Sequence, residues 1–245
     1  MPEKLTIPWG RLSVEAAAIV TSILLAFAIQ AWWEERNEAD LEQRILSALL
    51  EEFEQNDRLL QEAREVYENG YTNALRTLNY LDRNPAEFDE AEFQGLIRGL
   101  LLGRTIHLES GAHDGLLASG ELNIISNEKL RNELAAWPSY VAEWSEEEAA
   151  VFSFNQDNLA PSLSTYIRLR NIRDVFAPFP VGNSPAAVPV GSSEAGSLTV
   201  LADSLEFDNL VYRRAQGLWY AMRDGETLRV QLAEILDLIR QNLDE

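Results

Sequence analysis

The sequence predicts an all-α protein. An N-terminal transmembrane helix continues into a long amphipathic helix, packed in a helical bundle with a long C-terminal helix. Three observations carry this prediction. Ala16 to Trp33 is an apolar run without a charge. From Leu46 to Leu78, apolar residues recur at alternating three- and four-residue intervals, which is the repeat of one helix face. Strand-type alternation of apolar and polar residues never lasts beyond a few positions.

The first element is the span. Residues 1–14 form a short stub and residues 15–33 the expected transmembrane helix. About 18 apolar residues at about 1.5 Å each reach about 27 Å, close to the thickness of a bilayer core. Trp9 lies before the run, and Trp32 and Trp33 close it. Tryptophan suits the headgroup zone, because its ring is apolar and its N–H wants a partner. Ser13 is the expected N-cap, and Glu15 suits the positive end of the helix dipole. A buried core helix is one alternative. A cleavable signal peptide is the other, since Ala26-Phe27-Ala28 fits the small-x-small pattern. Against cleavage, the apolar run continues past Ala28 into a charged helical stretch without a breaker.

Residues 34–245 form the expected bundle domain. No proline stands between the span and Pro85, so one helix can run from the bilayer deep into the domain. Its apolar face reads Leu46, Leu49, Phe53, Leu60, Ala63, Tyr67, Ala74 and Leu78, with Asn56 and Gly70 in the gaps. Asn56 can fix the register of a partner helix, or sit at the polar edge of the bundle. A short helix is expected from about Glu87 to Arg104. Gly111, Gly115 and Gly120 read as turns. A further helix opens at Ser126-Asn127-Glu128, and Pro138 bends or ends it. Residues 146–172 are again helical, interrupted near Ala160-Pro161. Residues 176–196 hold four of the nine prolines and almost no charge, and read as a long loop. Asp203 to Leu243 is the C-terminal amphipathic helix, with Asp224-Gly225 as a candidate kink.

Composition bounds the function. The 245 residues allow one domain or two small ones, and 46% hydrophobic content predicts a globular core. Forty acidic side chains against 20 basic ones give a net charge of -20, which speaks against a nucleic-acid surface. With no cysteine there is no disulfide, thiolate zinc site or cysteine nucleophile.

Three stretches resemble a widespread, uncharacterised family of bacterial single-span membrane proteins, common in Bacteroidetes and known as a domain of unknown function. Glu15 precedes the apolar run, and Trp32, Glu34, Glu35 and Arg36 match the family's exit from the membrane. Ser119, Gly120, Leu122, Ile124, Ile125, Leu130 and Arg131 match a central stretch. The third is the helix that begins LEFDNLVYRRAQ. The chain departs from the family at Gln30-Ala31, where an asparagine pair is usual, and at Ala28, often glutamine. The resemblance implies an anchored helical domain and no particular reaction.

The chemistry-bearing residues are few. His107, Glu109, His113 and Asp114 are the candidates for a metal, but their spacing matches no zinc motif, and no metal site or cofactor is assigned. No nucleophile elbow or phosphate loop occurs. Trp137, Tyr140 and Trp144 form a stripe that is either core or a ligand cage. The membrane-interface residues are Trp9, Glu15, Trp32, Trp33 and Arg36. The expected partners are the lipid bilayer and either a second copy or another membrane protein. Lys4 and Arg11 lead to an N-terminus in the cytoplasm and a periplasmic domain at a bacterial inner membrane. The leading functional expectation is a membrane-anchored interaction or scaffold protein. The alternatives are an extracytoplasmic ligand-sensing domain acting through a membrane partner, and a metal-dependent enzyme built on the His107–His113 segment.

Overall fold

The alternating seam of the long helix finds its match at the other end of the chain. The computed structural model describes residues 9–83, 85–101, 103, 105–169, 172 and 198–244, and for residues 9–19 and 85 the backbone alone. Helix α1 runs unbroken over Trp9–Leu81, 73 residues, which is about 110 Å of helix. It is already helical at Trp9. Ser13 and Glu15 therefore lie inside the helix, not at its cap and first turn as expected. The stub before Trp9 and the 176–196 loop lie outside the described residues.

The antiparallel partner of α1 is α7, Leu205–Asp244. Gln43 meets Asn242, Asp57 meets Arg229, Arg64 meets Glu226, and Gly70 lies against Leu218. Residue numbers rise on one helix as they fall on the other. Both seams keep the three-four repeat: Leu46, Leu49, Phe53, Asn56, Leu60, Ala63 and Tyr67 on α1, and Phe207, Val211, Arg214, Leu218, Ala221, Leu228, Leu232, Ile235 and Ile239 on α7 are all buried. Two glycines stand at tight contacts. A Cβ at Gly70 would stand 3.2 Å from a Leu218 methyl. At Gly225 it would stand 3.2 Å from the Trp144 indole nitrogen. Gly225 therefore admits a neighbour, and α7 continues through it as one helix.

The remaining helices are α2 (Glu90–Leu101), α3 (Gly111–Ser119), α4 (Glu128–Phe154), α5 (Ala160–Tyr166) and α6 (Leu198–Ala202), with no strand among the described residues. Gly111 and Gly115 belong to α3, so only Gly120, at φ 73°, is the turn glycine that was expected of all three. Asn127 caps α4 by accepting from the Leu130 N–H, as its position predicts. Pro138 does not end α4. After Phe154 the backbone widens into a π-turn over Asn155–Leu159 before α5 begins, so the expected interruption comes just ahead of Ala160-Pro161.

The core divides in two. One part joins α1 from Leu46 to Tyr67 with α3, α4 and the second half of α7. The other joins the end of α1 with α2, α5, α6 and the start of α7. Each fully buried Leu or Phe in these seams contributes about 1.5–3 kcal/mol through removal from water.

Before Leu41 the situation reverses. Every side chain from Val20 to Asp40 is exposed, including Leu24 at 63% and Phe27 at 65%. Among the described residues no helix is long and apolar enough to cross a membrane. The first positions of the apolar run, Ala16 to Ile19, fall where the backbone alone is described.

Candidate functional site

Residues 105–110, between α2 and α3, are held by side chains of the bundle. Thr105 to Ser110 carries no helical structure. Side chains from two helices fasten it. The Ile106 N–H donates to Glu148 Oε1 at 2.8 Å, and the Tyr67 hydroxyl donates to the same oxygen. Three residues on, Asn56 accepts from the Glu109 N–H at 2.7 Å and donates to the Glu109 carbonyl at 2.8 Å. Asn56 and Glu148 are both buried. A buried polar group is stable only when bonded, and the backbone of this segment supplies the partners. Asn56 thus fixes the place of a non-helical segment and not the register of a helix.

Helix α3 is fastened in the same way. Its N-cap, Ser110, makes no side-chain cap bond. Glu52 of α1 takes over: Oε2 accepts from the Ala112 N–H at 2.6 Å and Oε1 from the His113 N–H at 3.1 Å. A carboxylate at a helix start satisfies orphan donors and meets the positive end of the dipole.

Between this segment and α4 lies a pocket of about 210 Å³. Ile106 to Ser110 form one wall; Trp137, Val141, Trp144 and Ser145 form the other. Trp137, Val141 and Trp144 share one face of α4, because their spacing is four and then three residues. The stripe expected from the sequence is therefore both core and pocket wall: Trp137 and Trp144 are buried, and Trp137 stacks at a tilt on Phe53 with ring centres 5.0 Å apart. Tyr140 packs against the core without lining the pocket.

The metal candidates do not assemble. His113 is buried, and its Nε2 lies 2.7 Å from the Leu134 carbonyl. A carbonyl only accepts, so this nitrogen carries the proton and cannot ligate a metal in that tautomer. Its Nδ1 lies 3.7 Å from Asp114. His107 and Glu109 are exposed at the pocket. No group of three His, Cys, Asp or Glu side chains that could hold a metal occurs among the described residues.

Arg214 is a buried cation that the sequence reading missed. Its Nη1 donates to the Val151 carbonyl at 2.8 Å, just ahead of the π-turn. Burial pushes its pKa down to about 10, and Tyr67 pulls it part of the way back. At neutral pH the group is still charged. The signal was present in the chain, because an arginine stands on the three-four seam of α7.

Of the expected membrane-interface residues, Trp32, Trp33 and Arg36 are exposed on α1, and the two indoles lie 5.9 Å apart. Trp9 and Glu15 are on α1, at positions where the backbone alone is described. Also missed was an aromatic stripe on the outer face of α7. Leu205, Tyr212 and Trp219 are exposed at seven-residue intervals, and Arg223 covers the Trp219 ring. The seven-residue spacing of Leu205, Tyr212 and Trp219 is readable in the sequence.

Comparison with known protein families, with curated proteins and with solved structures finds no match for this chain.

Proposed function

We propose that this protein is a membrane-anchored helical interaction module, a scaffold held at a bilayer by its N-terminal helix. The observation that supports the reading is the junction within α1. The helix is apolar and exposed on every side from Val20 to Trp33, then becomes a buried bundle seam from Leu46 without a break. Water does not tolerate a rod of that kind, and a lipid environment removes the cost. The charge-free sequence from Ala16 onward gives the helix spanning length. The resemblance to the single-span bacterial family agrees with this reading. A cytoplasmic N-terminus and a periplasmic bundle at the inner membrane complete the reading, with Lys4, Arg11 and the terminal amine before the run and Arg36 and Arg44 after it. The exposed stripe Leu205–Tyr212–Trp219 is the face offered to a second copy or to another membrane protein.

Fractionation tests the anchor. The full chain, produced in a bacterial host, should stay with membranes through alkaline carbonate extraction. Its intact mass should include residues 1–28. Leu24→Arg combined with Phe27→Arg should release it. A wild-type chain found wholly in the extract, or one that begins at Ile29, overturns the reading.

A second reading, a ligand-sensing domain acting through a membrane partner, is favoured by the pocket between Ile106–Ser110 and α4. The metal-enzyme reading gains no support from the placement of His107 and His113.

A further inference from the structure

We propose that two copies of this chain pair through the outer face of α7, side by side and parallel. The inference rests on the interaction-module reading and commits it to one partner, a second copy.

The outer face of α7 keeps a repeat of its own. Leu205, Asn209, Tyr212, Gln216, Trp219 and Arg223 follow one another at alternating four- and three-residue steps, and all six are exposed. That is the spacing of a coiled-coil seam, with Leu205, Tyr212 and Trp219 at one of its two core positions. Phe207, Arg214 and Ala221, two residues after each of them, are buried in the bundle. Two residues turn a helix by about 200°, so the seam points away from the core. Tyrosine and tryptophan suit a contact between proteins, because each offers a large apolar area on few rotatable bonds.

The charges select the partner. The chain as a whole carries -20 and would repel its own copy. This stretch is different: from Leu205 to Arg223, Glu206 and Asp208 stand against Arg213, Arg214 and Arg223. In a parallel pair built on this seam, the flanking residues that face each other are five positions apart. Asp208 then meets the partner's Arg213, and twofold symmetry makes the contact twice. Among the described residues neither Asp208 nor Arg213 has an ion pair, and Arg213 is held over the Phe154 ring at 5.1 Å. Arg223, which faces its own copy, already has Asp224 at 2.6 Å. The seam ends at Glu226, which is engaged with Arg64.

The anchor sets the direction. Helix α7 runs antiparallel to α1. Copies held in one bilayer by their α1 helices therefore carry their α7 helices parallel. In that arrangement Leu205, Tyr212 and Trp219 each lie against their own copy. Asn209 and Gln216 between them are polar core positions of the kind that hold a two-stranded register.

The chain has no cysteine, so single cysteines report cleanly. Asn209→Cys, Gln216→Cys and Ser145→Cys, all at exposed positions, are placed one at a time in the full chain and oxidised in native membranes with copper phenanthroline. Ser145 lies on the pocket side of α4 and is the control. The expected result is a disulfide-linked dimer from Asn209→Cys and from Gln216→Cys, and none from Ser145→Cys. In mild detergent the wild-type chain should have the mass of two protomers. Asp208→Arg and Arg213→Glu should each raise the dissociation constant about tenfold, and the two combined should restore it, which a mere folding defect does not do. The proposal is overturned by a monomer without cross-links, or by equal cross-linking at Ser145→Cys. Cross-linking at Gln216→Cys alone reports an antiparallel pair and overturns it too. So do charge reversals that leave the dissociation constant unchanged, and a different protein seated on the stripe in the purified complex. Carbonate extraction is read on the same membranes. A retained chain without cross-links rejects the pair and keeps the anchor; a released chain that still gives both cross-links keeps the pair and rejects the anchor.

Discussion

His113 donates from Nε2 to the carbonyl of Leu134 at 2.7 Å, and that carbonyl is the one Pro138 leaves without a helical donor. In an α-helix the N–H of residue 138 would reach back to residue 134, but proline has no N–H. A buried imidazole from α3 supplies the missing proton, and α4 passes through Pro138. Arg214 does the same for Val151 just ahead of the π-turn, where the Asn155 N–H turns to the Phe152 carbonyl. Two irregularities of one helix are thus closed by side chains from two others.

The His113–Pro138 relationship predicts a coupling. His113→Phe keeps a ring but leaves the Leu134 carbonyl buried without a donor, at a cost of about 1–3 kcal/mol. Pro138→Ala restores a backbone N–H to that carbonyl. In the Pro138→Ala background the His113→Phe loss should shrink by about 1 kcal/mol or more, as read from urea midpoints in a double-mutant cycle. Equal losses in both backgrounds would show that the two residues do not share this carbonyl.

Asn56→Leu should be among the costlier seam substitutions, although leucine suits the repeat. It removes both partners of the Glu109 peptide groups and costs about 1–3 kcal/mol. Hydrogen exchange at the Glu109 amide should quicken together with that of Ile106. A variant as stable as wild type, with Glu109 still protected, would mean that another group holds the segment.

Two glycines of α2 should respond with opposite signs. A Cβ at Gly95 meets nothing within 4 Å, so Gly95→Ala should stabilise by about 0.5–1 kcal/mol through helix propensity. At Gly99 the same Cβ would run into the Asn73 amide, which donates to the Leu96 carbonyl at 2.8 Å. Gly99→Ala should therefore destabilise by about 1–3 kcal/mol. Thermal midpoints moving in the same direction for both would contradict the packing of α2 on α1.

Lys129 provides a pH test. Its ammonium lies 2.6 Å from Glu234, and that hydrogen bond and charge raise its pKa above the ordinary lysine value of 10.5. Because the folded value is the higher one, the stabilisation is full below the ordinary lysine range. It is lost as pH rises through the raised value. The chain has one other lysine, Lys4, which serves as an internal reference. Carbon-13 NMR of the lysine side chains should show Lys129 titrating later than Lys4, and Glu234→Gln should remove most of the difference.

Much of the fold was legible because helices announce themselves locally. The three-four spacing of α1 and α7, the absence of proline before Pro85 and the Asn127 cap all act within a few turns of chain. The punctuation residues were read less well. Pro138 and Gly225 ordinarily weaken helices, and each is tolerated here for a reason that lies elsewhere in the chain. His113 repairs the first, and Trp144 occupies the space left by the second.

The candidate site was legible only in pieces. In the sequence, His107 and Glu109 read as part of a metal cluster, and Trp137 and Trp144 as an aromatic stripe. Their meeting at one pocket depends on residues 106–110 lying beside α4, where Asn56 and Glu148 from distant parts of the chain bond the backbone of Ile106 and Glu109.

The sequence alone determined the helical class, the long continuous helix, its apolar N-terminal run and the acid surface, because periodicity, breakers and charge are properties of the chain itself. Only the tertiary structure decided that α1 and α7 run antiparallel, that His113 bonds to the backbone of α4, and that the two tryptophans line a cavity. Those outcomes rest on buried polar groups finding partners, and a partner many residues away leaves no periodic trace in the sequence.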